Sequence, residues 1–298
     1  MDDPFVHLRV ASGYSLQYGA SHPEQLVATA AALDMDTLGL TDRDGLYGAV
    51  RFAKACLRAG IAPVIGVDLA VPFGPDDPRC TGRAPTSRRR TAARGGEIRD
   101  PRLPRVVATA TNRAGWGSLC RLVTATHLAG ERGTPVSTPE LIARHAEPGD
   151  LLVMLGADSQ FGLHVADGRL DLARAELHRW LDVIDASNLV VAVTHHQIGG
   201  SGVGSARQAG GMLALADEHH LTGILTNQVR MAERRQATTV DVLDAARRLV
   251  PLDSRNVDRR NAEAHLKSGK QMVQLAHEVS RLAGRGADGA ERLVMDTR

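Results

Sequence analysis

The sequence predicts an α/β fold in which about seven strands alternate with helices. Short apolar runs recur along the chain, and a polar or turn residue follows each run. Segments with apolar residues at helical spacing lie between these runs. This alternation fits either a barrel or an open parallel sheet. A chain of 298 residues suffices for one large α/β barrel or two smaller domains.

The predicted strands are the apolar runs of the alternation, and polar residues stand at their carboxyl ends. In parallel α/β folds, functional side chains gather at that end of the sheet. The strands are predicted at 5–10, 37–41, 61–71, 105–110, 151–155, 189–194 and 223–227.

The predicted helices follow from apolar spacing and from start and stop residues. Ser21 and Glu24 form a capping-box pattern with Pro23 in the first turn, and Gly60 is a stop signal for the second helix. The last residues, 284–298, are expected to fray. The helices are predicted at 21–33, 46–59, 113–127, 137–145, 170–184, 206–218, 239–249 and 268–282.

The domain organisation follows from shifts in composition. Residues 1–250 are predicted to form one barrel, and 251–298 a linker and a helix. Within the barrel, 74–104 is rich in Pro, Gly, Arg, Ser and Thr, which predicts a basic, flexible insertion. Its arginine run could contact DNA or phosphate, or it could simply be solvated; no aromatic residue is interleaved for base stacking. The run consists of Arg88, Arg89 and Arg90.

Composition excludes several classes of protein. A formal net charge of +2 does not by itself predict a nucleic-acid partner. The cysteines Cys56, Cys80 and Cys120 form no C-x-x-C pair, so neither a zinc site nor a disulfide framework is indicated. We therefore expect a reducing, cytoplasmic setting. No apolar run approaches the roughly 20 residues that span a bilayer, so no membrane association is expected.

Three stretches of the sequence resemble a known family. Residues 5–20, 38–52 and 60–68 are similar to the PHP domain (polymerase and histidinol phosphatase domain). The similarity is greatest to the PHP domain of bacterial DNA polymerase III alpha subunits, with a lean towards the error-prone type. Shorter matches follow at 194–196, 226–227 and 265–269. The resemblance implies a PHP-type, distorted TIM-like barrel of seven strands with a C-terminal helical extension.

The resemblance also implies a metal site, because PHP domains use divalent metals to activate water against a phosphoester. Such a site needs imidazoles and carboxylates that converge from strand ends. In the opening pattern H-L-H-x-H, His7 is retained, but Arg9 and Ala11 take the other two positions. Tyr18 stands where an acid is expected, and Arg43 replaces the histidine of the pattern T-D-H-G.

The remaining ligand positions of the family are mostly lost as well. Asp68 is retained, but in the pattern T-N-D-x-H-Y the acid becomes Gln228 and the histidine becomes Arg230. A guanidinium group cannot be a metal ligand, because it stays protonated and has no lone pair to donate. We therefore expect a degenerate metal site with no metal, no other cofactor and no catalytic residue.

In place of the metals, we expect a vestigial pocket. The arginines at the lost ligand positions should converge there, with Arg9 or Arg43 within salt-bridge distance of Asp68. Their guanidinium groups would offset a carboxylate that metals otherwise neutralise. The predicted pocket residues are His7, Arg9, Arg43, Asp68 and Arg230.

The function that this pattern predicts is structural. We expect a non-catalytic PHP-type domain of a DNA polymerase III alpha subunit, acting in DNA replication or error-prone repair synthesis. Its partners would be the remaining polymerase modules or other replication and repair proteins, towards which 251–298 would lead. Residues 250–298 cannot contain a palm domain, so this chain alone should not polymerise DNA.

Two alternatives remain open from the sequence. One is an active metal-dependent phosphoesterase or 3′–5′ exonuclease, which would need Asp42, Asp44 or His195 as substitute ligands. The other is a barrel whose arginines bind an anion. The histidine pairs 195–196 and 219–220 are interpreted as structural. The first pair ends a strand, where neighbouring side chains point to opposite faces. The second pair closes a helix, where a partly charged imidazole suits the helix dipole.

Overall fold

A computed structural model describes residues 5–75, 77, 79–80, 102–130, 133–253 and 255–298. In this part of the chain, six strands form one curled sheet in which the strands follow their sequence order. The strands are β1 (Thr37–Arg43), β2 (Ala62–Ala70), β3 (Arg105–Ala110), β4 (Leu151–Leu155), β5 (Leu189–Thr194) and β6 (Thr222–Thr226).

Helices connect and cover these strands, which makes the fold α/β. Each of the predicted helices is present, with its ends shifted by a few residues. The helices of the described residues are α1 (Pro23–Ala32), α2 (Ala49–Ala59), α3 (Arg113–Ala129), α4 (Pro139–Ala143), α5 (Gln160–Ala166), α6 (Leu170–Leu181), α7 (Ala206–Glu218), α8 (Ala237–Arg248), α9 (Gly269–Leu282) and α10 (Gly289–Thr297).

The sheet is mixed, whereas the sequence pattern predicted parallel strands. β1 and β2 are parallel, as are β4, β5 and β6, but β3 runs antiparallel to both of its neighbours. An antiparallel return requires no crossover helix, and an apolar run does not encode the direction of its strand. As a consequence, the first residue of β3, Arg105, lies at the carboxyl ends of β2 and β4.

The predicted first strand at 5–10 is not part of this sheet, and a closed seven-stranded barrel is therefore not shown. The segment forms isolated parallel bridges to both edges, pairing His7 with Leu38 of β1 and Val10 with Val229 beyond β6. Because its backbone hydrogen bonds are divided between two partners, no regular ladder develops. The segment nevertheless spans from one edge of the curled sheet to the other.

Alternation along the strands places apolar side chains on both faces of the sheet. One face packs against the helices in the main core, which includes Leu119 of α3, Leu213 of α7 and Val279 of α9. The other face carries a smaller cluster that contains Val107, Met154, Val190, Ala192 and Ile224. Leu8 of the N-terminal segment packs against this smaller cluster.

Some predictions about local structure were wrong. Ser21 does not cap α1; its hydroxyl instead donates to Gln236 and accepts from the Ala232 amide. The C-terminus is not frayed, because α10 buries Leu293 and Val294 against the main core. By contrast, Gly60 ends α2 in the left-handed conformation, as predicted.

Most of the predicted insertion at 74–104 lies outside the described residues, as do Arg88, Arg89 and Arg90. In the described part of the chain, no helix is long and apolar enough to cross a bilayer.

Candidate functional site

The candidate site lies where the carboxyl ends of the strands meet the N-terminal segment. Its central group is the guanidinium of Arg9, which is only 3% exposed. Arg9 Nη2 lies 3.2 Å from Oδ2 of Asp68 near the end of β2, and 2.9 Å from Oδ2 of Asp158 beyond β4. The ion pair expected between Arg9 and Asp68 is therefore present.

A second arginine, Arg105, shares Asp68 with Arg9. Its Nε donates to Asp68 Oδ1 at 2.8 Å, and its Nη2 donates to Oδ1 of Asp44 at 2.9 Å. Asp44 follows β1, and its backbone adopts the left-handed region with φ of 57°. Arg105 therefore joins the ends of β1 and β2 to the start of β3.

Asp158 links Arg9 to a further residue of the network, Gln228. Gln228 Nε2, beyond β6, donates to Asp158 Oδ2 at 2.7 Å. Gly156 leaves the space that Arg9 needs, because a Cβ at that position would lie 2.4 Å from Arg9 Nη1. Together these contacts connect the N-terminal segment with residues beyond β4 and β6.

The other two predicted arginines surround Tyr18. The guanidinium carbons of Arg43 and Arg230 lie 3.4 and 3.9 Å from the centre of the ring, so both groups are within cation–π distance of it. Arg230 also donates to the buried Asp244, with Nη1 3.2 Å from Oδ2, and Arg247 pairs with the same carboxylate at 2.9 Å. An aromatic ring in contact with two guanidinium groups thus occupies the position where an acid was expected.

His7 stands apart from this cluster. It is fully buried, its Nε2 lies 2.9 Å from the Lys267 carbonyl, and its ring packs edge-on against Phe5. Among the described residues, Nδ1 has no hydrogen-bond partner. Burial lowers the pKa of His7 from 6.5 to about 4, so its imidazole is neutral at neutral pH.

The proposed substitute ligands are engaged at separate places. The buried Asp42 accepts hydrogen bonds from Ser12 and from the Ser15 hydroxyl, and burial raises its pKa. Asp44 pairs with Arg105. His195 lies 3.0 Å from Glu278 through its Nε2.

The remaining histidines have structural partners as well. His196 Nε2 lies 2.8 Å from the Asn227 carbonyl, and burial lowers the pKa of His196 to about 4. The ring of His219 packs edge-on against His178, and His220 takes the left-handed backbone conformation beyond α7. The pairs therefore do not act as shared ligands.

The electrostatics of the site favour ionised carboxylates held by guanidinium groups. Burial alone would raise the pKa of Asp68, but the neighbouring Arg105, Arg9 and Arg43 lower it below its usual range. In the described chain, no three or more His, Cys, Asp or Glu side chains are placed to share a metal ion. The residues present therefore do not fit a metal cluster.

Sequence reasoning missed several members of this network. Arg105 is the first residue of a strand that is otherwise mostly apolar, and Asp158 lies between the predicted elements 151–155 and 170–184. Asp244 lies within a helix, where a solvent-exposed acid is the usual expectation. The available signal was the excess of arginines in otherwise apolar surroundings, since a buried guanidinium requires carboxylate partners.

Comparisons with known proteins agree with the resemblance. The sequence profile of the PHP domain matches residues 7–196. The error-prone DNA polymerase of Nocardia farcinica is 31% identical over 91% of this chain and 26% of its own length. The DNA polymerase III subunit alpha of Treponema pallidum is 29% identical over 91% of this chain and 22% of its own. The chain thus spans about a quarter of the length of these relatives.

Among solved structures, an amidohydrolase from Chromobacterium violaceum superposes with a TM-score of 0.43. The overlap covers 76% of this chain and 87% of that structure at 16% sequence identity.

Removing Asp68 should destabilise the fold. Asp68→Ala leaves the buried guanidinium of Arg9 with fewer acceptors, so we expect the free energy of unfolding to fall by roughly 2–4 kcal/mol. Urea unfolding followed by circular dichroism measures this change. Asp171→Ala, which removes the acid of an exposed pair with Arg169, is the matched control and should leave the midpoint unchanged. An Asp68→Ala variant that unfolds like the parent would refute the role of the network.

Buried neutral imidazoles should make the fold sensitive to mild acid. The pKa of His7 and of His196 is about 4 when folded, against 6.5 for a free imidazole. Between these values the unfolded chain binds more protons, so stability is complete above pH 6.5 and falls as the pH decreases. Each of the two histidines would lower the free energy of unfolding by roughly 3 kcal/mol as the pH falls from 6.5 to about 4.

Urea unfolding between pH 7 and pH 5 tests this prediction. His196→Gln should flatten the pH dependence relative to the parent. Equal slopes in the parent and in the His196→Gln variant would contradict the assignment.

Proposed function

Since the chain belongs to the PHP domain family, we propose that it is a non-catalytic PHP-type domain related to DNA polymerase III alpha subunits. It acts in DNA replication or error-prone repair synthesis by supporting and binding other polymerase modules. The chain covers 26% of its Nocardia relative, and its similarity to a polymerase supports partners of that kind.

One observation carries the non-catalytic assignment. At strand ends where the family resemblance places metal ligands, arginines form ion pairs and stack on Tyr18. Guanidinium groups repel metal cations and cannot coordinate them. The pocket is thus occupied by the protein's own cations, which neutralise the retained Asp68.

The retained family ligands support the same proposal. Asp68 is bonded to Arg9 and Arg105, and His7 is directed at the Lys267 carbonyl. A metal ion would have to displace these partners. Asp68 and His7 would then be its only retained family ligands, and the two side chains do not contact each other. The family resemblance implies hydrolysis by metal-activated water, and among the described residues no arrangement of ligands fits such a metal cluster.

Neither alternative function gains support from a specific contact. An active phosphoesterase would need substitute ligands such as Asp42, Asp44 or His195, whereas each of these has its own separate partner. For an anion-binding pocket, a surplus of cations is needed. Arg9 and Arg105 are instead balanced by nearby carboxylates.

We expect the purified chain to hold no stoichiometric Zn, Mn or Fe. It should also not hydrolyse p-nitrophenyl phosphate or the 3′ end of single-stranded DNA when Mn²⁺ or Zn²⁺ is supplied. Elemental analysis and initial-rate assays measure both properties. Asp68→Asn is the internal control, because activity that belongs to the pocket would fall in this variant and a contaminant's activity would not. One tightly held metal ion per chain, or hydrolysis that depends on Asp68, would contradict the proposal.

A further inference from the structure

We propose that the outward surface of α2 is the docking face for another polymerase module. The proposal rests on the proposed function and names the part of the surface that binds. Its occupant is a protein surface of acidic character that also presents apolar side chains. We define this α2 outer face by Tyr47, Val50, Arg51, Lys54, Leu57 and Arg58.

The α2 outer face exposes large apolar side chains that the fold does not use. Val50 and Leu57 are 63% and 75% exposed, and Tyr47, just before the helix, is 68% exposed. A separation of seven residues places Val50 and Leu57 on one face, two turns apart.

The opposite face of α2 is the face that packs in the hydrophobic core. Phe52 and Cys56 are fully buried there and pack with residues of α1 and β1. Packing within the part of the chain that the structure describes therefore does not account for the outward apolar residues. Neighbouring exposed apolar side chains are a common mark of a protein interface.

The charge of the α2 outer face defines the chemistry of its occupant. The helix Ala49–Ala59 contains three cations, Arg51, Lys54 and Arg58, and no acid. Arg51 lies 3.8 Å from Glu24 of α1. In the described part of the chain, neither Lys54 nor Arg58 has a carboxylate within salt-bridge distance. These charges are therefore available to a partner with acidic side chains.

The same charge argues against two other occupants. A symmetric dimer through this face would bring its cations against their own copies, which is unfavourable. DNA would satisfy the cations, but it would leave Val50 and Leu57 against phosphate and sugar. A protein interface instead has an apolar centre surrounded by polar and charged groups.

A binding experiment with the remainder of the polymerase tests this assignment. The remainder is the part of the Nocardia farcinica error-prone DNA polymerase that this chain does not match. It makes up about three quarters of that protein and is expressed separately. Biolayer interferometry should show that the parent chain binds it. Val50→Glu with Leu57→Glu should weaken binding at least about tenfold, and Lys54→Glu with Arg58→Glu should weaken it most at low salt.

A matched control is available on other helices. Val242 of α8 and Met295 of α10 are also exposed apolar residues, at 52% and 66%. Val242→Glu with Met295→Glu should leave the affinity unchanged. All six substituted positions lie on the surface, so the fold should be retained, and circular dichroism of each variant checks this.

The outcomes separate this inference from the proposed function. If the parent chain does not bind the polymerase remainder, the partner-binding function itself fails. If the parent and all variants bind equally, only the assignment to the α2 outer face fails. A third outcome is that the parent binds double-stranded DNA, and that the α2 variants lose DNA binding but still bind the polymerase remainder. In that case the surface is a nucleic-acid site and the assignment is overturned.

Discussion

The buried ion pair between Arg9 and Asp68 is the contact on which the strand ends depend. Arg9 belongs to a segment that is not a strand of the sheet, yet its guanidinium reaches Asp68 near the end of β2 and Asp158 beyond β4. Neither charge has enough water around it to remain unpaired, so each requires oppositely charged partners: Asp68 pairs with Arg9 and Arg105, and Arg9 pairs with Asp68 and Asp158. The pair therefore fixes the position of the N-terminal segment, which in turn bridges both edges of the curled sheet.

The residues around Tyr18 form a second place where buried charges are held by neighbouring side chains. Cations that would repel one another are kept close by an aromatic ring and by the buried Asp244. The charges that a metal cluster would bring in other members of the family are supplied here by side chains. Such a pocket can keep its shape without a metal. On the proposed function, the domain would act through its outer surface rather than through this pocket.

Much of the fold could be predicted from the sequence, since six of the seven expected strands are in the sheet and the family resemblance is borne out. The errors have physical causes. The segment 5–10 has the apolar composition of a strand, but its hydrogen bonds are divided between two edges. The direction of β3 was not encoded in its apolar run. Within the site, Arg9 and Asp68 could be paired from the family pattern, whereas the partners Arg105 and Asp158 depend on tertiary packing.

A double-mutant cycle on Arg9 and Asp68 tests the central claim most directly. Arg9→Leu and Asp68→Leu each remove one charge, and the double variant removes both. If the two groups hold each other, the double variant should lose far less stability than the sum of the single variants, with a coupling of roughly 2 kcal/mol or more. If the losses simply add, within about 0.5 kcal/mol, the ion pair does not organise the strand ends and the account is wrong.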